Sequence, residues 1–192
     1  MSRRLYQHER APDCRTVRWV LEKKRLDYEP IEVDPAVAED LRRRFESDEP
    51  PILEDDAKAV GGARPIAFYL ERCFESPSIF PADAQKRNQA ATFAEFAEQA
   101  IGSLTAEILK RGRESFPPKT TPDPFSELRA CLGQVREAVA RRALDSGACH
   151  LGDIAVAAHL VTCQDIPALE FEREYADLVA YVARVQRGLA GG

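Results

Sequence analysis

Residues 50–56 read Pro50-Pro51-Ile52-Leu53-Glu54-Asp55-Asp56, and Ala57–Val60 follow before the pair Gly61-Gly62. Two prolines stand directly before a short apolar pair, Ile52-Leu53. Glu54-Asp55-Asp56 is polar and turn-prone, and Ala57–Val60 is strand-like again. Beyond the glycines, Ile66, Tyr69, Leu70 and Cys73 recur at three- and four-residue steps, the spacing that puts side chains on one helix face. The stretch therefore predicts strand, turn, strand and then a helix over Ala63–Phe74.

Upstream, Arg3–His8 reads as a short strand, and Cys14–Arg25 as a helix carrying Val17, Val20 and Leu21 on one side. Tyr28–Val33 alternates as a strand should. Pro35 stands where a helix begins, and Ala36–Phe45 continues it with Arg42, Arg43 and Arg44 on a solvated face. Residues 1–76 thus run β-α-β-α-β-β-α. A linker is expected at residues 77–83, punctuated by Pro77 and Pro81, and residues 84–192 contain no convincing strand. There, one long helical pattern spans Ala84–Phe116, with Phe93, Phe96, Ala97, Ile101, Leu104 and Ile108 on its face. Pro117, Pro118, Pro122 and Pro124 end it. Phe125–Leu144 is a second helix, Leu151–Cys163 an apolar one buried in a bundle, and Asp177–Leu189 an amphipathic close. The fold class is α/β plus all-α: a mixed-sheet domain followed by a helical bundle.

Composition narrows the function without naming it. The 192 residues carry a net charge of −5 and are 44% hydrophobic and 31% charged, the balance of an ordinary globular protein. No apolar run approaches the roughly 18–20 residues that cross a bilayer, so a membrane span is excluded. Met1–Asp13 has no apolar core of a secretory signal, and the expected location is cytoplasmic. Cys14, Cys73, Cys131, Cys149 and Cys163 are odd in number, scattered and without a C-x-x-C pair. That pattern argues for free thiols in a reducing compartment, against both disulfides and a zinc site. His8, His150 and His159 are too dispersed to suggest metal ligands, so no metal is expected. A mildly acidic chain without a basic tract gives no sign of direct nucleic-acid binding.

The order of elements, and several local motifs, resemble the glutathione S-transferase family. Cys14-Arg15-Thr16-Val17-Arg18 with Leu21-Glu22-Lys23 looks like the start of that family's first helix. Tyr28-Glu29 with Glu32-Val33-Asp34 looks like its second strand. Pro50–Asp56 resembles its V-P-x-L-x-D-D segment, Pro65-Ile66 with Tyr69-Leu70-Glu71 its A-I-x-x-Y-L-E helix, and His150–Asp153 its S-x-x-D capping box. The resemblance implies a thioredoxin-like domain over residues 1–76 and an all-helical domain over residues 84–192. It also implies a cis bond before Pro51, a homodimer, glutathione as co-substrate, and an apolar electrophile held by the helical domain, lined by Phe93, Phe96 or Phe116.

The same resemblance assigns the site. Pro51 and Ile52 would offer backbone to the cysteinyl part of the thiol, and Gly62-Ala63 would face its γ-glutamyl carboxylate with amides alone, because the family's acidic-Ser pair is missing there. Pro50, directly before Pro51, has no N–H, which removes one hydrogen bond of about 0.5–1.5 kcal/mol. The family's Ser or Cys at the start of the first helix is replaced by Ala11, whose methyl group neither donates nor attacks. Cys14 is the remaining candidate nucleophile, placed beside Arg15 and Arg18 in a setting that favours a thiolate, with a buried packing thiol as the alternative. Tyr6 offers a hydroxyl as a further comparison, against a core or edge role. Two functions follow: a transferase-like protein that binds glutathione or a related thiol, its transfer activity weak or lost, or a non-catalytic transferase-fold protein of the stringent starvation protein A type, which binds a protein partner.

Overall fold

The computed structural model describes residues 3–45, 47–56, 58–111 and 123–190. They separate into two compact units, one of the residues up to Ile79 together with those from Leu189 on, and one spanning Phe80–Gly188. In the first unit the elements are β1 (Arg3–Gln7), α1 (Pro12–Lys23), β2 (Glu29–Glu32), α2 (Pro35–Phe45), β3 (Ile52–Asp55), β4 (Lys58–Gly61) and α3 (Ala63–Cys73). The sheet order is β2-β1-β3-β4, with β1 parallel to β2 and antiparallel to β3. β3 and β4 form the hairpin, and the turn falls between Asp55 and Lys58 rather than at residues 54–56, so β3 is two residues longer than expected and β4 is shifted by one.

Side-chain alternation divides the sheet into two buried faces. Leu5 and Leu53 sit opposite each other and are fully buried. Each contributes about 1.5–3 kcal/mol by leaving water. Tyr6 and Ile52 project from the other face into a cluster with Leu41 of α2. α1 begins two residues earlier than its apolar spacing suggests, because Pro12 occupies the first helical position, where a missing N–H costs nothing. Cys14, Val17, Val20 and Leu21 make its buried face.

In the second unit the long helical pattern resolves into α4 (Ala84–Phe96), a π-helical segment Ala97–Gly102, and α5 (Ser103–Arg111). Residues 112–122, including Phe116, lie outside the described residues. α6 (Pro124–Ala140) is capped by Asp123 and stops four residues short of Leu144. α7 (Leu151–Cys163) has the expected bounds and is buried along nearly its whole length. A 3₁₀ turn at Pro167–Leu169 and a short α8 (Phe171–Glu174) precede α9 (Ala176–Ala190). α7 packs on α4. Gly152 permits that approach: a Cβ there would lie 3.0 Å from the Ala90 carbonyl oxygen and 3.1 Å from its Cα.

Asp153 organises the entry to α7. Its Oδ1 accepts the Asp145 N–H at 2.7 Å and the Tyr181 hydroxyl at 3.2 Å, while Oδ2 accepts the His150 N–H at 3.2 Å. Burial pushes its carboxyl above the usual range, and these three donors restrain the rise. Asp153 therefore caps the helix, as the sequence suggested.

Candidate functional site

Pairing registers bring three chain ends to one end of the sheet. Ile52, at the start of β3, lies opposite both Tyr6 near the end of β1 and Gly61 at the end of β4. The β1–α1 loop, the residues before β3 and the N-terminus of α3 are therefore neighbours, although 50 residues separate the first from the last. The Pro50–Pro51 peptide bond is cis. The Gly62 N–H donates to the Pro51 carbonyl oxygen at 2.9 Å, so the start of α3 is tied to the start of β3. Gly62 holds φ +86°, a left-handed conformation that glycine adopts without the penalty a Cβ would bring. Of the four candidate binding residues, Pro51 and Gly62 are thus joined directly. Ile52 and Ala63 are buried.

Ala11 caps α1 through its backbone only: the Arg15 N–H donates to its carbonyl at 3.0 Å, and no side-chain cap exists. Its own N–H donates to the His8 carbonyl at 3.1 Å, which closes the loop into a tight turn. Cys14 stands at the third helical position and is fully buried on the face that packs into the unit. The His8 N–H donates to its sulfur at 3.4 Å. Burial nevertheless pushes the thiol up to about 11, outweighing that hydrogen bond and the positive charge of Arg18. A buried, protonated thiol is the opposite of the activated nucleophile that the neighbouring arginines suggested.

Arg18 has another task. One Nη donates to Gln7 Oε1 at 2.8 Å and the other to the Glu9 carbonyl at 2.6 Å, so its guanidinium clamps the β1–α1 loop. His8 is exposed, its Nδ1 3.5 Å from Glu32, and Glu32 also accepts the Glu9 N–H at 3.1 Å. Tyr6 packs with Leu41 and Ile52. Its hydroxyl donates to Glu54 at 2.8 Å and accepts from Arg44 at 3.1 Å on the α2 side of the sheet. The loop clamp escaped sequence reasoning, because nothing local marks an arginine in the second turn of a helix as the partner of residues nine and eleven positions earlier. Phe93 and Phe96 are half-buried on α4.

Among the described residues no group of three His, Cys, Asp or Glu side chains lies close enough to hold a metal ion. No helix among them is long and apolar enough to cross a membrane.

Residues 5–78 match the family model of the glutathione S-transferase N-terminal domain. A probable glutathione S-transferase of Nicotiana tabacum is 27% identical over 106 residues, which cover 54% of this chain and 48% of the tobacco protein. The chain spans about half the length of such curated relatives. Among solved structures, a glutathione S-transferase from Methylobacterium radiotolerans in complex with glutathione sulfonate has a TM-score of 0.84 at 19% identity, covering 99% of this chain and 93% of that one. A glutathione transferase from Pseudomonas putida, with one glutathione disulfide bound per subunit, has a TM-score of 0.81 at 18% identity, covering 98% and 90%. Residues 5–78 therefore carry the glutathione S-transferase N-terminal domain, and the chain has the fold of these transferase structures.

Proposed function

We propose that the thioredoxin-like cleft binds glutathione or a related thiol, and that transfer of the thiol to an apolar electrophile is weak or lost. The observation that carries this reading is Ala11. At the start of α1, where a hydroxyl or thiol would stabilise the thiolate of the bound co-substrate, the chain presents a methyl group and a backbone turn. Cys14 does not replace it, because its thiol is buried and held protonated. We assign Cys14 to packing. Binding is supported by the backbone that remains: the Pro50 carbonyl as an acceptor, and the amides of Ala63 and Arg64 at the start of α3 for a carboxylate. The bound glutathione derivatives of the two structural neighbours favour the same cleft. Assembly as a homodimer belongs to the proposal and is checked by light scattering.

The test is a thermal shift with millimolar glutathione beside turnover of 1-chloro-2,4-dinitrobenzene. A ligand at 100 times its dissociation constant stabilises the fold by about 2.7 kcal/mol, so binding raises the melting temperature measurably. Stabilisation with turnover near the uncatalysed rate is the expected result. Turnover far above background rejects the impaired-transfer reading. Absence of any shift rejects glutathione binding and favours the protein-partner alternative.

A further inference from the structure

We propose that Arg18 is a positioning residue for the co-substrate thiol: it pins the β1–α1 loop and supplies the positive charge that makes a thiol at the start of α1 acidic. The inference rests on the thiol-binding reading of the cleft, and it names what stands in for the hydroxyl that Ala11 lacks.

The first positions of α1 are poor in donors. Ala11 carries no hydroxyl, its N–H is turned into the loop toward the His8 carbonyl at 3.1 Å, and Pro12 has no N–H. The amides of His8 and Glu9 are committed as well, to the Cys14 sulfur at 3.4 Å and to Glu32 Oε1 at 3.1 Å. A thiolate at this helix end therefore draws on the helix dipole and on any full charge held close by. Arg18 is such a charge. From the second turn of α1 its guanidinium reaches back to Gln7 Oε1 at 2.8 Å and the Glu9 carbonyl at 2.6 Å. Both acceptors are neutral, so the bonds that hold the charge do not cancel it. Other arginines of this unit end on carboxylates: Arg3 on Asp55, Arg42 on Asp48, Arg43 on Asp40 and Arg44 on Glu54. Two bonds from one planar group also fix the loop in a way that the point charge of a lysine cannot.

The field of Arg18 reaches the first turn. Burial dominates the Cys14 thiol, but the His8 N–H and then Arg18 pull it down, while Asp13 and Glu32 push it further up. Burial likewise raises the Tyr28 hydroxyl, with Arg18 pulling against it and Glu22 pushing with it. Ala11 and Pro12 are only half-buried, so a thiol held beside them meets the same cation with a smaller desolvation penalty. The other charged groups around the loop are His8, Glu9, Arg10, Asp13, Arg15 and Glu32. All of them are common to the proteins compared below, so a change follows from position 18 alone.

Ultraviolet difference spectroscopy of the glutathione complex, which follows the bound thiolate as pH is raised, tests the assignment on the full chain. In wild type the bound thiol is expected to titrate well below the value of about 8.5 of a free thiol. In Arg18→Met the titration should move up by about one pH unit, and glutathione affinity at neutral pH should fall about tenfold. Arg18→Lys keeps the charge and loses one of the two bonds, and should titrate near wild type. S-methylglutathione has no thiol proton to lose, so Arg18→Met should weaken it less than it weakens glutathione. Circular dichroism melts verify folding; if Arg18→Met does not fold, Arg18→Gln, which keeps an amide donor for the loop and loses the charge, makes the same comparison. Equal losses for both ligands with an unmoved titration reduce Arg18 to a prop for the loop and overturn the proposal. So does a wild-type complex whose thiol titrates as free glutathione does. Wild type that binds neither ligand rejects the reading of the cleft and this inference with it, whereas binding with an unmoved titration rejects the inference alone.

Discussion

A methyl group at position 11 and a buried sulfur at position 14 set the chemistry of the β1–α1 turn. Ala11→Ser restores a hydroxyl to the helix start. A hydrogen bond to a charged sulfur is worth about 1.5–3 kcal/mol, so conjugation of 1-chloro-2,4-dinitrobenzene at saturating glutathione should rise roughly tenfold to a hundredfold. The same serine should raise thermal stability by about 1 kcal/mol as a helix cap. A variant that is stabilised yet gains no turnover would show that position 11 does not face the thiol. Cys14 predicts the opposite kind of behaviour. With its thiol pushed up to about 11, Ellman's reagent at neutral pH should label exposed Cys73 and leave Cys14 untouched until the protein unfolds. Because the folded value is raised, the associated stability is present below the unfolded thiol value near 9 and disappears as pH climbs through about 11. Rapid labelling of Cys14 in the native protein would contradict its burial.

At the scale of elements, α7 shows how local sequence and long-range packing share the work. Asp153→Ala leaves the Asp145 and His150 amides and the buried Tyr181 hydroxyl without their acceptor, and should cost about 2–4 kcal/mol in urea unfolding. Gly152→Ala drives a methyl group against the α4 backbone, which cannot rotate away, and should cost about 1–3 kcal/mol. A loss below 0.5 kcal/mol for either would mean that α7 enters the bundle differently. The bounds of α7 were legible because an apolar run followed a His-x-x-Asp start and ended at polar Gln164. The break inside Ala84–Phe116 was not. A π turn preserves the four-residue step between Ala97 and Ile101, so hydrophobic spacing runs through it unaltered. The end of α6 was misplaced because Arg142 takes the left-handed conformation there, and arginine does not announce it as glycine would. α8 is one turn long, too short for any periodicity to register.

At the scale of the whole chain, the change of periodicity near residue 80 could be read from the sequence, and a cis bond before Pro51 could be expected from the family resemblance. The bond from Gly62 to Pro51 could not, since only the strand register brings them together. Equally invisible was Lys24, the residue that caps the end of α1. Its side chain is fully buried, and its ammonium donates to Glu71 at 2.6 Å, the Phe74 carbonyl at 2.5 Å and the Pro77 carbonyl at 3.1 Å. Lys24→Met strands Glu71 and two carbonyls, and should destabilise the protein by about 3–5 kcal/mol. Burial raises the Glu71 carboxyl, but hydrogen bonds from Lys24, Ser78 and the Ile79 N–H outweigh it and hold the group below its usual range. Its contribution is therefore present above the unfolded value near 4.5 and is lost as pH falls through the folded one. Glu71→Gln should flatten acid denaturation in that window, and an unchanged acid limb would remove Glu71 from the account. The sealed ammonium also makes Lys24 a chemical clock. Amine-acylating reagents reach surface lysines such as Lys58 and Lys86 at once, but they reach Lys24 only through an opening that dissolves the junction of α1, α3 and the segment after it. The time course of its acylation, read by mass spectrometry, counts those openings one molecule at a time.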